Sequence, residues 1–96
     1  MGPLTAPDPF AARRPVPAHE FQAIAAAHAA YLARRPGGRR ANLKFCDLSG
    51  LDLTGCNFAE ADLTGACFRD CSMVGANLRG STMFGADLTQ VDLTDA

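Results

Sequence analysis

Large apolar residues recur at every fifth position of the chain from Ala41 onward. Residues 41–95 divide into eleven consecutive pentads without a change of phase, and each pentad has Leu, Phe or Met at its third position. An α-helix repeats about every 3.6 residues and a strand about every two, so this period predicts neither as a continuous element. The third-position residues are Leu43, Leu48, Leu53, Phe58, Leu63, Phe68, Met73, Leu78, Met83, Leu88 and Leu93.

The other positions of the pentads hold small residues and turn formers. The first position is mostly Ala or Cys, the second is mostly Asp or Asn, and the fifth is Gly in six pentads. Gly tolerates positive φ, and Asp and Asn bond their side chains to nearby backbone, so both favour a change of chain direction. A chain that turns at each pentad and buries two of its residues can wind into coils of about four pentads, which stack on one another.

These columns resemble the motif of the pentapeptide-repeat family, which reads small residue, Asp or Asn, Leu or Phe, polar residue and often Gly. The resemblance covers about 55 of the 96 residues. It implies an all-β solenoid, a right-handed quadrilateral β-helix over residues 41–96, with the first and third positions inward. Eleven pentads then make just under three coils. At a spacing of about 4.8 Å, the coils form a column roughly 13 Å tall, and the third-position residues form its core stacks.

The first forty residues divide into three segments. Residues 1–17 contain five of the six prolines and no apolar periodicity, which predicts an extended or disordered arm. Residues 18–35 are rich in Ala and place apolar side chains at helical spacing, which predicts an amphipathic helix. Residues 36–40 begin with Pro-Gly-Gly and form a linker into the first coil.

The predicted helix is similar to one that pentapeptide-repeat proteins often carry as a lid over their first coil. The resemblance therefore implies an N-terminal α-helix cap. Its cap residues are Phe21, Ile24, His28 and Leu32. We expect Phe21, Ile24 and Leu32 to rest on Leu43, Leu48 and Leu53.

Catalytic and metal chemistry finds no support in the sequence. Three of the four cysteines, Cys46, Cys56 and Cys71, occupy the small first position, so we expect reduced core thiols without a metal or a disulfide. Cys67 falls in the outward second position and is the thiol expected to be open to reagents. Neither His19 nor His28 has a nucleophile at a suitable spacing. We predict no enzymatic activity, no cofactor and no small-molecule substrate.

Charge and hydropathy limit the cellular setting. Residues 1–40 carry six Arg against two acidic residues, whereas residues 41–96 carry three basic and eight acidic ones. No segment approaches the roughly 18 apolar residues that a membrane-spanning helix needs. We expect a bacterial cytoplasmic protein with no direct contact to a membrane.

The end of the solenoid suggests how the protein works. The sequence reaches Ala96 directly after a pentad, which predicts an apolar coil face that no helix covers. We expect a non-enzymatic protein-protein interaction module, an accessory or assembly subunit that binds a protein partner or a second copy through this coil and the N-terminal arm. The candidate interface residues are Phe10, Arg13, Arg14, Phe84, Leu88, Val91 and Leu93.

The alternative is acidic mimicry of DNA, because some relatives implied by the resemblance bind DNA gyrase in that way. Two features argue against it. Neutral residues interrupt the stacked acids, as Cys67 separates Asp47 from Asp87. A column of roughly 13 Å also spans only about four base-pair steps. We therefore do not expect binding to nucleic acid, and keep mimicry as the second hypothesis.

Overall fold

The computed structural model describes residues 13–96, which form a helix followed by a solenoid of stacked coils. The named elements are β1 (Arg14–Pro15), α1 (Ala18–Leu32) and β2 (Cys46–Asp47). The candidate interface residue Phe10 lies outside the described residues. None of the helices in the described part is long and apolar enough to cross a membrane.

The coils stack in a register of four pentads. Isolated parallel bridges join second-position residues that lie twenty apart in the sequence, so each pentad sits on the one a coil earlier. Between pentads the chain turns, and the first-position N–H donates to the preceding third-position carbonyl, as from Cys46 to Leu43 at 3.1 Å. The bridged pairs are Asn42 with Asp62, Asp47 with Cys67, Asp52 with Ser72, Asn57 with Asn77, Asp62 with Thr82, Cys67 with Asp87 and Ser72 with Asp92.

The fifth position explains the glycines of the repeat. Its residues adopt positive φ whether or not they are Gly, with 74° at Gly50, 55° at Phe45 and 66° at Glu60. This left-handed conformation favours Gly because other residues meet a steric penalty there. The turn at each corner therefore depends on a backbone shape that the sequence marks in six of the eleven pentads.

The core lies inside the first two coils. Seven third-position side chains are 0% exposed: Leu43, Leu48, Leu53, Phe58, Leu63, Phe68 and Met73. Burial then declines along the same column, to half-buried at Leu78 and Met83 and to 38% and 40% exposed at Leu88 and Leu93. The side chains of this column are large and apolar throughout. The decline therefore reflects the lack of a further coil against these residues in the described structure.

Helix α1 packs on the first coil through two aromatic contacts. The rings of Phe21 and Phe58 meet edge to face with centroids 5.7 Å apart, and the buried His28 ring lies 5.8 Å from Phe58. Ile24 packs against the core, whereas Leu32 is half-buried and lies outside the core cluster. The ring contacts of the cap are thus with Phe58, a residue that the sequence placed in the core column but not under the helix.

The helix ends three residues before the predicted end. Arg34 adopts a φ of 57°, which is incompatible with a continuing right-handed helix, and its N–H donates to Tyr31 O at 3.1 Å. The chain then folds back so closely that a Cβ at Gly38 would lie 2.6 Å from the Tyr31 backbone. Gly38 therefore allows the linker to run along α1 into the first coil.

The N-terminal arm joins the fold at β1. This strand pairs in parallel with β2, with Arg14 opposite Cys46 and Pro15 opposite Asp47. Val16 continues the pairing by donating its N–H to Asp47 O at 3.1 Å, and its side chain is only 5% exposed. Residues 14–16 are thus extended and cover part of the first coil beside α1, whereas residues 1–12 of the predicted arm lie outside the described residues.

Candidate interaction surfaces

The acidic second-position residues build the turns of the solenoid. The Oδ1 atom of Asp52 accepts the N–H of Thr54 at 3.0 Å, and Asp92 accepts the N–H of Thr94 at the same distance. The hydroxyl of Thr94 donates to the same Asp92 oxygen at 2.6 Å. Asn serves equally well, since Asn57 Oδ1 accepts the N–H of Ala59 at 3.1 Å. These side chains recur because the turn needs an acceptor two residues before its amide.

These hydrogen bonds favour the ionised carboxylates. A hydrogen bond from the Thr54 side chain, helped by the Thr54 amide, lowers the pKa of Asp52 below its ordinary value. Threonine side chains are likewise the main cause of the lowered pKa values at three other aspartates. Those aspartates are Asp62, Asp87 and Asp92.

Acidification should therefore destabilise the solenoid. A carboxylate with a lowered folded-state pKa adds stability above its unfolded-state pKa of about 4, and that stability is lost as the pH falls through the folded-state value. A quadruple variant keeps the turn acceptors but has no titrating carboxyl group at these four positions. Its substitutions are Asp52→Asn, Asp62→Asn, Asp87→Asn and Asp92→Asn. We expect the wild-type Tm to fall below about pH 4 and the variant Tm to fall less. Equal losses, measured by circular dichroism, would contradict this assignment.

Basic side chains neutralise part of the acidic surface. Arg69 Nε pairs with Asp87 Oδ2 at 2.5 Å, and Lys44 Nζ lies 3.5 Å from Asp62 Oδ2. Cys67, which separates Asp47 and Asp87 in its column, carries no formal charge as a thiol. The acidic residues therefore do not form an uninterrupted row of free carboxylates, which a mimic of DNA phosphates would present.

The expectation that Cys67 is open to reagents is wrong. Its side chain is 2% exposed, and its Sγ lies 3.6 Å from Ser49 Oγ. Position in an outward column does not guarantee access, because neighbouring side chains from stacked pentads cover a small residue between them. All four cysteines are free. Within residues 13–96, no group of three or more His, Cys, Asp or Glu side chains is placed to hold a metal ion.

The two arginines of the arm engage the chain's own surface. Arg13 stacks over the Phe45 ring, 5.6 Å from its centroid, and its Nε donates to Gly65 O. A Cβ at Gly65 would lie 2.5 Å from the same ring, so a glycine at this corner makes room for Phe45. Arg14 donates to Glu20 at 2.7 Å. The contacts of Arg13 hold the arm against the first two coils, and the contact of Arg14 joins the arm to α1.

The C-terminal end face consists of the four pentads 76–95. It presents Leu88 and Leu93 at 38% and 40% exposure, with Val91 half-buried beside them. Leu78 and Leu93 also line an open concavity of about 660 Å³. Phe84 lies on the outer wall of the same pentads and is 84% exposed. Three of the predicted interface residues thus share one apolar face, and Phe84 lies at its side.

The residues predicted to form the interface therefore fall into two places. Leu88, Val91 and Leu93 lie together on the end face, whereas Arg13 and Arg14 lie in the arm beside the first coil. Sequence reasoning missed Val16 and the contact between Arg13 and Phe45. The available signals were an apolar residue between two prolines and an aromatic residue at a corner usually given to Gly.

Comparison with known proteins agrees with this architecture. A family model described as pentapeptide repeats matches residues 39–73 and 68–96, with 8 copies. A solved structure, the crystal structure of the pentapeptide repeat protein Rfr23 from the cyanobacterium Cyanothece 51142, is similar with a TM-score of 0.56 and 33% sequence identity. The match covers 56% of this chain and 37% of that one. No curated protein matches this chain.

Proposed function

This chain belongs to the pentapeptide-repeat family, and we propose that it is a non-enzymatic interaction module that binds a protein partner through its C-terminal end face. Members of this family form β-helix solenoids and are generally interaction proteins. We also propose that the solenoid is a right-handed, four-sided β-helix of just under three coils, with α1 as its cap. The bridges between residues twenty apart and the contacts of α1 with Phe58 support that description.

The observation that carries the proposal is the change in burial along one column of like residues. Leu48 and Leu53 are 0% exposed, whereas Leu88 and Leu93 at the same pentad position are 38% and 40% exposed. Covering such a side chain stabilises a complex by about 1 kcal/mol, since full burial of a leucine contributes about 2 to 3 kcal/mol. The flat coil also presents backbone groups that a partner can bond.

The arm has a smaller part in this proposal. Arg13 and Arg14 bind Phe45, Gly65 and Glu20 of their own chain, so partner binding through these guanidinium groups would have to compete with those contacts. We therefore place the main contact on the end face. Acidic mimicry is less well supported, because Arg69 and Lys44 pair with two of its carboxylates.

Replacing Leu88 and Leu93 with Asp should abolish partner binding. Two carboxylates on the end face would have to be buried without a counter-charge, which opposes the complex. The matched control is Asn42→Asp with Asn57→Asp, which adds the same charge at exposed positions of the first coil, away from the end face, and keeps the turn acceptors. A tagged chain purified from its native host provides the partner, and light scattering coupled to size exclusion gives the mass of each complex.

The control should keep the partner at wild-type stoichiometry, and only the Leu variant should lose it. Circular dichroism must show that both variants retain the wild-type fold. Retained binding by the folded Leu88→Asp and Leu93→Asp variant would exclude the end face as the docking site. A complex that dissociates when salt is added, and from which duplex DNA displaces this protein, would instead support acidic mimicry. Salt screens the exposed charge pairs on which such a complex would depend.

A further inference from the structure

The hydrogen bonds between coils have a direction. The third-position and fifth-position N–H groups donate forward to the next coil, as Leu43 N donates to Asp62 O and Phe45 N to Thr64 O, both at 2.9 Å. The second-position N–H donates backward, as Asp62 N donates to Ala41 O at 3.0 Å. A typical pentad thus sends two N–H groups forward and one backward. The forward edge of a coil is rich in donors, and its rear edge is rich in acceptors.

The C-terminal end face is such a forward edge. In the described structure, none of its third-position and fifth-position N–H groups donates to a carbonyl. An open β edge of this kind favours a partner that supplies the missing groups. The residues that carry these amides are Leu78, Gly80, Met83, Gly85, Leu88, Gln90, Leu93 and Asp95.

A symmetric dimer through two end faces would not satisfy these amides. In a two-fold dimer the same surface meets itself, so donor-rich edges would face each other and leave buried N–H groups unpaired. The geometry instead favours an acceptor-rich rear edge, whose carbonyls and apolar column continue the stacking of the coils. The complementary surface is therefore the start of another solenoid coil.

Part of the chain's own rear edge is covered by α1 and β1. Asp47 O accepts the N–H of Val16 at 3.1 Å, and Ala59 O accepts a hydrogen bond from His28 Nε2 at 2.7 Å. Phe21 packs its ring on Phe58 at the same edge. Helix α1 and β1 therefore occupy the place where the end face of another copy would stack.

We infer that the end face binds the rear edge of a solenoid coil carried by a partner chain, and that α1 and β1 stop copies of this chain from binding one another head to tail. This inference rests on the proposed function, because it specifies the chemistry of the partner at the same face. Without the cap, each copy would offer both edges, and such a heterologous contact leads to open-ended assembly.

The test compares the masses of purified chains of residues 1–96 by analytical ultracentrifugation. The wild-type chain should remain near its monomer mass of 10.1 kDa as its concentration rises. The variant Phe21→Asp with His28→Asp releases α1 and should form assemblies whose mass rises with concentration. Adding Leu88→Asp and Leu93→Asp to that variant should restore the monomer mass. This blocked variant keeps an open rear edge, so an equimolar mixture with the wild type should give a complex of twice the monomer mass.

Each outcome separates this inference from the proposed function. A wild-type dimer that Leu93→Asp dissociates would overturn the inference while leaving the end face as a docking site. A folded, cap-released variant that stays monomeric would also overturn it. If the cap-released variant does not fold, a second variant provides the test. In this variant residues 77–96 are repeated after Ala96, which adds one coil to stack on the end face. The amides of Leu88 and Leu93 should then exchange at least about tenfold more slowly than in the wild type, and unchanged rates would overturn the inference.

Discussion

Replacing Phe58 with Ala should lower the free energy of unfolding by about 4 kcal/mol, since removal of a buried Phe side chain costs about 3 to 5 kcal/mol. The side chain is 0% exposed, and its ring meets both Phe21 and His28 of α1. The change therefore opens a cavity in the first coil and removes the surface on which the cap rests. The variant should then unfold at a much lower urea concentration than the wild type, because a domain of this size is only marginally stable.

The control for this experiment is Phe84→Ala. Phe84 is 84% exposed on the outer wall, so its removal should change the free energy of unfolding by less than about 0.5 kcal/mol. Urea titrations followed by circular dichroism give both values under the same conditions. A loss at Phe58 no greater than the loss at Phe84 would contradict the assignment of Phe58 as the joint between coil and cap.

The repeat predicts which side chains face inward but not where burial stops. Leu53 and Leu88 occupy the same pentad position, yet Leu53 is 0% exposed and Leu88 is 38% exposed. The period of five fixes the direction of each side chain relative to the coil. Its burial depends on whether another coil stacks against it, which is a property of the assembly rather than of the pentad.

The contacts of the arm could not be read from any period. Arg14 and Pro15 pair with Cys46 and Asp47, which are separated from them in the sequence by all of α1. The arm has no repeat that would reveal this register. Parallel pairing between distant segments depends on tertiary contacts, which local sequence does not encode. The burial of Val16 follows from that pairing and was therefore missed.

The cap was predicted as a helix, but the contacts of its aromatic rings with Phe58 were not predicted. An amphipathic pattern identifies which face of a helix is apolar, whereas the linker decides where that face lies on the coil. Here Gly38 runs against Tyr31, and α1 brings its aromatic rings to Phe58. The exposure expected for the Cys67 thiol was wrong for a related reason, because side chains from stacked pentads cover it.

Replacing His28 with Leu should lower the free energy of unfolding by about 3 kcal/mol, although Leu fills a similar volume with an apolar side chain. The imidazole is 0% exposed and bridges two backbone groups of the first coil. Its Nδ1 accepts the N–H of Ala41 at 2.9 Å, so its Nε2 carries the proton that bonds Ala59 O at 2.7 Å. Leu would leave both backbone groups without a partner, at about 1 to 3 kcal/mol for each buried group.

His19→Leu is the matched control, because His19 lies on the same helix and is exposed. Its effect on the free energy of unfolding should stay within about 0.5 kcal/mol. Loss of the bond itself can be separated from altered packing by amide exchange. The Ala41 amide should exchange at least about tenfold faster in His28→Leu, while the Leu63 amide in the next coil should follow global unfolding alone. Equal changes at both amides would mean that His28 acts through packing, and the imidazole would then not be the polar link between α1 and the first coil.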